Sequence, residues 1–166
     1  MVQKSQGKPV KDSHVEVTHI VQPPDINSLG TIFGGRVMEW IDLAAAACAA
    51  RHARRTCVTA SMDAVHFISP IQLGEIVIVR AQINYTHKTS MEIGVRVDAE
   101  NPLTGEHRHA VSAYLTFVAI DEQRRSISVP PILPKSREEK RRFEEGEERR
   151  AARLAWKQRR GKQSAS

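Results

Sequence analysis

Arg36-Val37-Met38-Glu39-Trp40-Ile41-Asp42-Leu43, running on through Ala44-Ala45-Ala46-Ala47-Cys48-Ala49-Ala50 to about Ala53, reads as one long helix that is apolar over most of its circumference. Such a helix is usually buried rather than laid on a surface, and its alanines let another backbone come close, as where a sheet wraps around it. Upstream, His14 to Gln22 alternates polar and apolar residues as a half-buried strand does, and Pro23-Pro24-Asp25 breaks it. Downstream the character turns to β. Thr56 to Ser69 reads as a strand ended by Pro70, Leu73-Gly74-Glu75 as a turn, and Ile76 to His87 and Thr89 to Glu100 as two long strands. Asn101-Pro102-Leu103-Thr104-Gly105 is a turn signal, and His109 to Ile120 is another strand. The order β-α-β-β-β-β predicts an α+β domain, a five-stranded, mostly antiparallel sheet curled round one long helix.

At 166 residues the chain suits one domain with an appendage. No apolar run approaches the ~20 residues of a membrane span, and the first dozen residues hold lysines without the apolar stretch of a secretory signal. Cys48 and Cys57 have neither metal-ligand nor disulfide-framework spacing, so a cytoplasmic location is expected. Pro130-Pro131-Ile132-Leu133-Pro134 closes the domain. We therefore divide the chain into a flexible N-terminus (1–13), the domain (14–134) and a charged tail (135–166) of strong helix propensity. That tail has too little apolar surface for a core of its own and reads as a solvated or frayed helix, whose removal is expected to leave a folded domain. The formal net charge of +6 belongs to it, for residues 135–162 carry 12 Lys/Arg against 6 Glu while the remainder balances. A basic nucleic-acid face within the domain is thereby disfavoured.

The chemistry is concentrated before and within the helix. In Asn27-Ser28-Leu29-Gly30-Thr31-Ile32-Phe33-Gly34-Gly35, two adjacent glycines expose backbone N–H groups at a helix N-terminus, where the dipole favours developing negative charge. Asp42 is a carboxylate in an alanine-rich helix, costly unless used or satisfied. These parts suit hydrolysis of an activated carbonyl: the N–H groups hold an oxyanion, Asp42 activates water or attacks directly, and Asn27 orients carbonyl or water. An equally available reading makes Arg36, Glu39 and Asp42 one polar edge of the helix, and for Asn27, in Asp25-Ile26-Asn27-Ser28, ordinary turn chemistry is the stronger reading. Nucleophile-elbow, Rossmann and P-loop patterns do not appear, the histidines are scattered singly, and no metal is expected. Asp42 lies seven residues beyond Gly35, ~10 Å along the axis, so one carbonyl touches both only if they come from two subunits with antiparallel helices.

These residues resemble the hot-dog-fold acyl-CoA thioesterases, in particular the cytosolic acyl-CoA hydrolases. The resemblance is carried by Asn27-Ser28-Leu29-Gly30 to Gly34-Gly35, Met38-Glu39-Trp40-Ile41-Asp42, Val58-Thr59-Ala60-Ser61-Met62-Asp63, Phe67-Ile68-Ser69-Pro70-Ile71, Thr89-Ser90-Met91-Glu92-Ile93, and Phe117-Val118 followed by Val129-Pro130. Its span is about residues 14 to 134, and the tail around Glu139 to Gly146 is also similar. It implies a hot-dog homodimer with shared active sites, often assembled into a hexamer as a trimer of dimers. Such an enzyme hydrolyses acyl-CoA to fatty acid and CoA without a cofactor, CoA being part of the substrate. By the same resemblance Asp42 and Asn27 are catalytic from opposite subunits, Gly34 and Gly35 receive the thioester oxygen, and Thr59 and Ser90 line the site. Arg51, Arg54, Arg55 and Lys88 are open candidates for the CoA phosphates. A hot-dog dehydratase and a non-catalytic acyl-CoA sensor are the alternatives; the first needs a histidine near the helix entry, and none lies between His19 and His52.

Overall fold

In the computed structural model, which describes residues 6–163, the elements run β1 (Lys8–Pro9), β2 (Val15–Ile20), α1 (Gly34–Ala53), β3 (Thr56–Phe67), β4 (Ile76–His87), β5 (Ser90–Glu100), β6 (His107–Ile120), β7 (Ile132–Leu133) and α2 (Arg137–Gln163). β2 to β6 form a five-stranded sheet in the order β2-β4-β5-β6-β3, every neighbouring pair antiparallel. α1 touches all five strands, so the sheet wraps it. The alanines make this possible: Ala44, Ala45 and Ala49 are at most 2% exposed, alongside Ile41 and Cys48 at 0%. The helix stops at Arg54, which adopts a left-handed conformation (φ 53°) and donates its N–H to the Ala50 carbonyl at 2.8 Å.

Register sorts the side chains of the sheet into two faces. Thr59, Phe117 and Met91 lie opposite one another across β3, β6 and β5, as do Leu115 and Ile93 across β6 and β5. That face meets α1, and each fully buried Leu, Ile, Phe or Met on it contributes roughly 1.5–3 kcal/mol relative to exposure. The intervening residues Glu92, Tyr114 and Thr116 turn to the other face, which α2 covers.

The segment before residue 14 was expected to be flexible, yet β1 pairs in parallel with β7, and Val10 and Ser13 are buried. Ser13 Oγ lies 3.2 Å from Nδ1 of the fully buried His52, whose Nε2 is 2.9 Å from the Pro130 carbonyl. A carbonyl only accepts, so Nε2 carries the proton and Nδ1 accepts from Ser13. Residues 1–5 of that expected flexible N-terminus lie outside the described residues.

The tail, expected to be solvated or frayed, packs on the sheet. α2 is docked across the sheet by a few well-placed groups: Phe143 packs on Tyr85 with ring centroids 4.8 Å apart, and the Arg149 guanidinium stands 3.9 Å over the Tyr114 ring. Arg149 Nη2 also donates to Glu92 Oε1 at 2.7 Å, and the Glu92 side chain is only 2% exposed. Arg153 pairs with Asp63 at the far edge. Gly146 allows the close approach, because a Cβ there would fall 2.8 Å from the Tyr85 Cβ. Sequence hides such a contact surface, since its main components are charged residues whose partners lie 57 and 90 positions away.

Candidate active site

β3 is an edge strand of twelve residues, exposed over much of its length. α1 runs antiparallel beside it, which brings two clusters of functional groups to this open seam. At one end, Thr59 Oγ1 donates to Asp42 Oδ1 at 2.8 Å. At the other lies the start of α1, with Phe33 as its N-cap residue, no side-chain cap, and the Phe67 ring 3.5 Å from where a Gly34 Cβ would sit. The N–H groups of Gly34 and Gly35, in the first helical turn, have no intrahelical acceptor and stay available to an incoming oxygen. Beside them a cavity of about 370 Å³ is lined by Thr31, Ile32, Gly34, Phe67, Ile68 and their neighbours.

Asn27 begins the loop that leads to this helix start. Its Oδ1 accepts the Leu29 N–H at 2.9 Å and its Nδ2 donates to Thr31 Oγ1 at 3.0 Å, so the side chain holds a tight turn with Gly30 at φ 77°. The loop is fastened to α1 by Arg36, which helical spacing alone marks only as part of a polar edge. Arg36 Nε reaches Asp25 Oδ1 at 2.9 Å, and the Asp25 carbonyl accepts the Phe33 N–H at 2.8 Å. Arg36 also pairs with Glu39, while Asp42 turns to β3. The Pro23-Pro24-Asp25 break next to the catalytic-looking loop was the available signal for Asp25.

Asp42 and Thr59 are thus brought together, and Gly34 and Gly35 are placed near Asn27's loop. Ser90 is not gathered with Asp42 within one chain: it pairs with Val118, on the opposite sheet face from Thr59, and donates to the His87 carbonyl at 3.2 Å. Arg51, Arg54 and Arg55 stand at the other end of α1 from the glycines, Arg51 donating to the His14 carbonyl and Arg55 to that of Arg54. Lys88 sits in the β4–β5 turn. Burial pushes the Cys48 thiol up to about 12 and also raises that of Cys57, so neither is an activated nucleophile. Among the described residues, no group of three or more His, Cys, Asp or Glu is arranged to hold a metal ion, and no helix is long and apolar enough to cross a membrane.

The family model of the thioesterase superfamily matches residues 29–106. A Bacillus subtilis protein named as an uncharacterized acyl-CoA thioester hydrolase is 42% identical over 78% of this chain and 75% of its own length. The chain belongs to the hot-dog-fold acyl-CoA thioesterases. The Homo sapiens cytosolic acyl coenzyme A thioester hydrolase is 37% identical over 84% of the chain, which spans only 37% of that longer protein. Among solved structures, an apo-hexameric acyl-CoA thioesterase superposes with a TM-score of 0.88 at 42% identity, covering 90% of this chain and 96% of that one. An acyl-CoA hydrolase from Staphylococcus aureus, solved with butyryl coenzyme A, coenzyme A and coenzyme A disulfide, gives a TM-score of 0.87 at 34% identity, covering 95% of each chain. It has also been solved with an Asp, an Asn and a Thr each replaced by alanine, and those three share the chain spacing of Asp42, Asn27 and Thr59.

Proposed function

We propose that this chain hydrolyses fatty acyl-CoA to free fatty acid and CoA at a site shared between two copies. The observation that carries the reading is the Thr59–Asp42 contact at the unpaired edge of the sheet, a polar pair on a seam that a second β3 is shaped to cover. Thr59 and Phe67 lie symmetrically about Asp63 in β3. If two β3 strands pair antiparallel about Asp63, Asp42 and Thr59 of one copy fall opposite Phe67, Gly34 and Gly35 of the other. The three residue types replaced in the Staphylococcus aureus relative support the same assignment.

In this site the thioester oxygen takes the N–H groups of Gly34 and Gly35, whose helix dipole stabilises the oxyanion; one such donor is worth ~3–4 kcal/mol in the transition state. Asp42, held by Thr59, accepts a proton from water as the hydroxyl oxygen attacks the carbonyl carbon, and Asn27 orients carbonyl or water. Direct attack by the Asp42 carboxylate, followed by hydrolysis of the resulting anhydride, uses the same geometry. In the first route the C–S bond breaks as the tetrahedral intermediate collapses to the acid; in the second it breaks as the anhydride forms, before water cleaves that anhydride; in both the departing CoA thiolate takes up a proton. No step calls for a metal or a resident cofactor. The cavity beside Gly34 and Phe67 offers apolar walls to the acyl chain. We assign the chain to the cytoplasm and expect its dimers to assemble as a trimer of dimers, since an acyl-CoA thioesterase relative is hexameric.

Co-expression tests the shared site. Asn27→Ala and Asp42→Ala are each expected to be folded and nearly inactive. A mixed dimer regains one intact site beside one doubly defective site, so random pairing restores about a quarter of wild-type turnover. Mixed dimers that form and stay inactive would overturn the model.

A further inference from the structure

The course of α2 carries information about the second copy. Its successive contacts step across the sheet: Phe143 on Tyr85 of β4, Gly146 beside Tyr85 and Glu92 of β4 and β5, Arg149 on Glu92 and Tyr114 of β5 and β6, and Arg153 on Asp63 of β3. From Phe143 to Arg153 the helix advances ~15 Å, at ~1.5 Å per residue. Crossing from β4 to β3 is three strand spacings of ~4.8 Å. α2 therefore runs nearly perpendicular to the strands and reaches the sheet edge at Arg153. It continues to Gln163, ~15 Å farther, beyond the last strand of its own chain.

The part beyond the edge is built unlike a solvated end. Leu154 and Trp156 are 40% and 51% exposed in an otherwise charged helix, and beside them a cavity of about 530 Å³ opens between Ser61, Asp63, Ala64, Ala152, Arg153 and Trp156. Charge is segregated along the helix as well. All six glutamates fall within residues 138–148, whereas residues 149–162 hold seven Lys/Arg and no acid. Glu144, Glu147 and Glu148 are exposed, as are residues 154–160.

We infer that the C-terminal halves of two α2 helices pack antiparallel across the dimer axis, the helix of each copy closing the cavity that Trp156 walls in the other. The inference rests on the pairing of β3 about Asp63 in the shared-site reading. Arg153 lies over Asp63, so the two α2 helices arrive at the axis from opposite sides and pass side by side at the ~8–10 Å typical of packed helices. In an antiparallel pair centred there, Arg159 of one copy comes level with Glu147 of the other, and the basic end runs along the acidic stretch. A parallel pair would set basic end against basic end. The second copy thus completes a cavity that one chain leaves open.

The test uses the full chain with Cys48→Ala and Cys57→Ala, into which Trp156→Cys is introduced. A bismaleimide spanning about 10 Å is expected to link the two copies, while Leu103→Cys, in the exposed β5–β6 turn, gives no link. Arg159→Glu or Glu147→Arg alone is expected to slow linking roughly three- to tenfold, and the two reversals together to restore it. Unlinked Trp156→Cys in a chain that sediments as an active dimer or larger assembly would overturn the helix pairing and leave the shared site standing. A monomeric, inactive parent chain would overturn both. Two reversals that fail to compensate would overturn the antiparallel register.

Discussion

Asp42 shows at the residue scale how far one sequence can be read. Periodicity alone left it balanced between catalysis and membership of a polar edge with Arg36 and Glu39. The fold separates them, because Arg36 goes to Asp25 and Glu39, and Asp42 takes a hydroxyl from a strand seventeen residues later. That partner was visible in the sequence only as a matching strand motif, since pairing across a helix and a sheet leaves no periodic mark. The contact yields a prediction. Thr59→Val keeps the shape but removes the donor, and a hydrogen bond to a charged group is worth about 1.5–3 kcal/mol, so kcat is expected to fall roughly ten- to hundredfold. Thr59→Ser should recover most of it. Steady-state kinetics decide the matter, and a Thr59→Val enzyme of wild-type kcat would remove Thr59 from the mechanism.

The helix α1 and the long strands were legible as elements, because one buried stripe or one alternating face sets their period. α2 was legible only as a helix. Its docking depends on Glu92, a carboxylate inside a strand, and Arg149, a base in a charged run, neither of which announces its partner. The docked tail is therefore expected to contribute to stability. Replacing Arg149 alone leaves the Glu92 carboxylate buried beneath α2 without its counter-ion, and breaking a buried pair from one side costs about 3–5 kcal/mol. Arg149→Met is expected to lower the thermal midpoint by well over 5 °C, and adding Glu92→Gln to recover part of the loss. Thermal unfolding of the three variants checks this, and a wild-type midpoint for Arg149→Met would show the pair to be dispensable.

Across the whole molecule, His52 joins three distant parts: Ser13 near the start, the end of α1, and Pro130 after the last long strand. Burial lowers its pKa below the ordinary value of 6.5. The unfolded chain then binds the proton more readily than the folded one, so stability is full above about pH 6.5 and is lost as pH falls below it toward the folded-state pKa. His52→Gln is expected to cost stability at pH 8, yet to flatten the decline of the thermal midpoint between pH 7 and 5. An equally steep decline in the variant would place the sensitivity elsewhere. This closure was not legible in the sequence, where His52 reads as a cation suited to a helix C-terminus, because the segments that enclose it are brought together only by the finished fold.

The burial of Cys48 has one more result. A thiol with a pKa of about 12 is ionised in only about one molecule in 10⁵ at pH 7. Thiol–disulfide exchange proceeds through the thiolate, so this cysteine is slow to form a mixed disulfide with CoA that has been released and oxidised nearby. A protein that liberates a thiol at each turnover thereby keeps its own sulfur out of its product's redox chemistry.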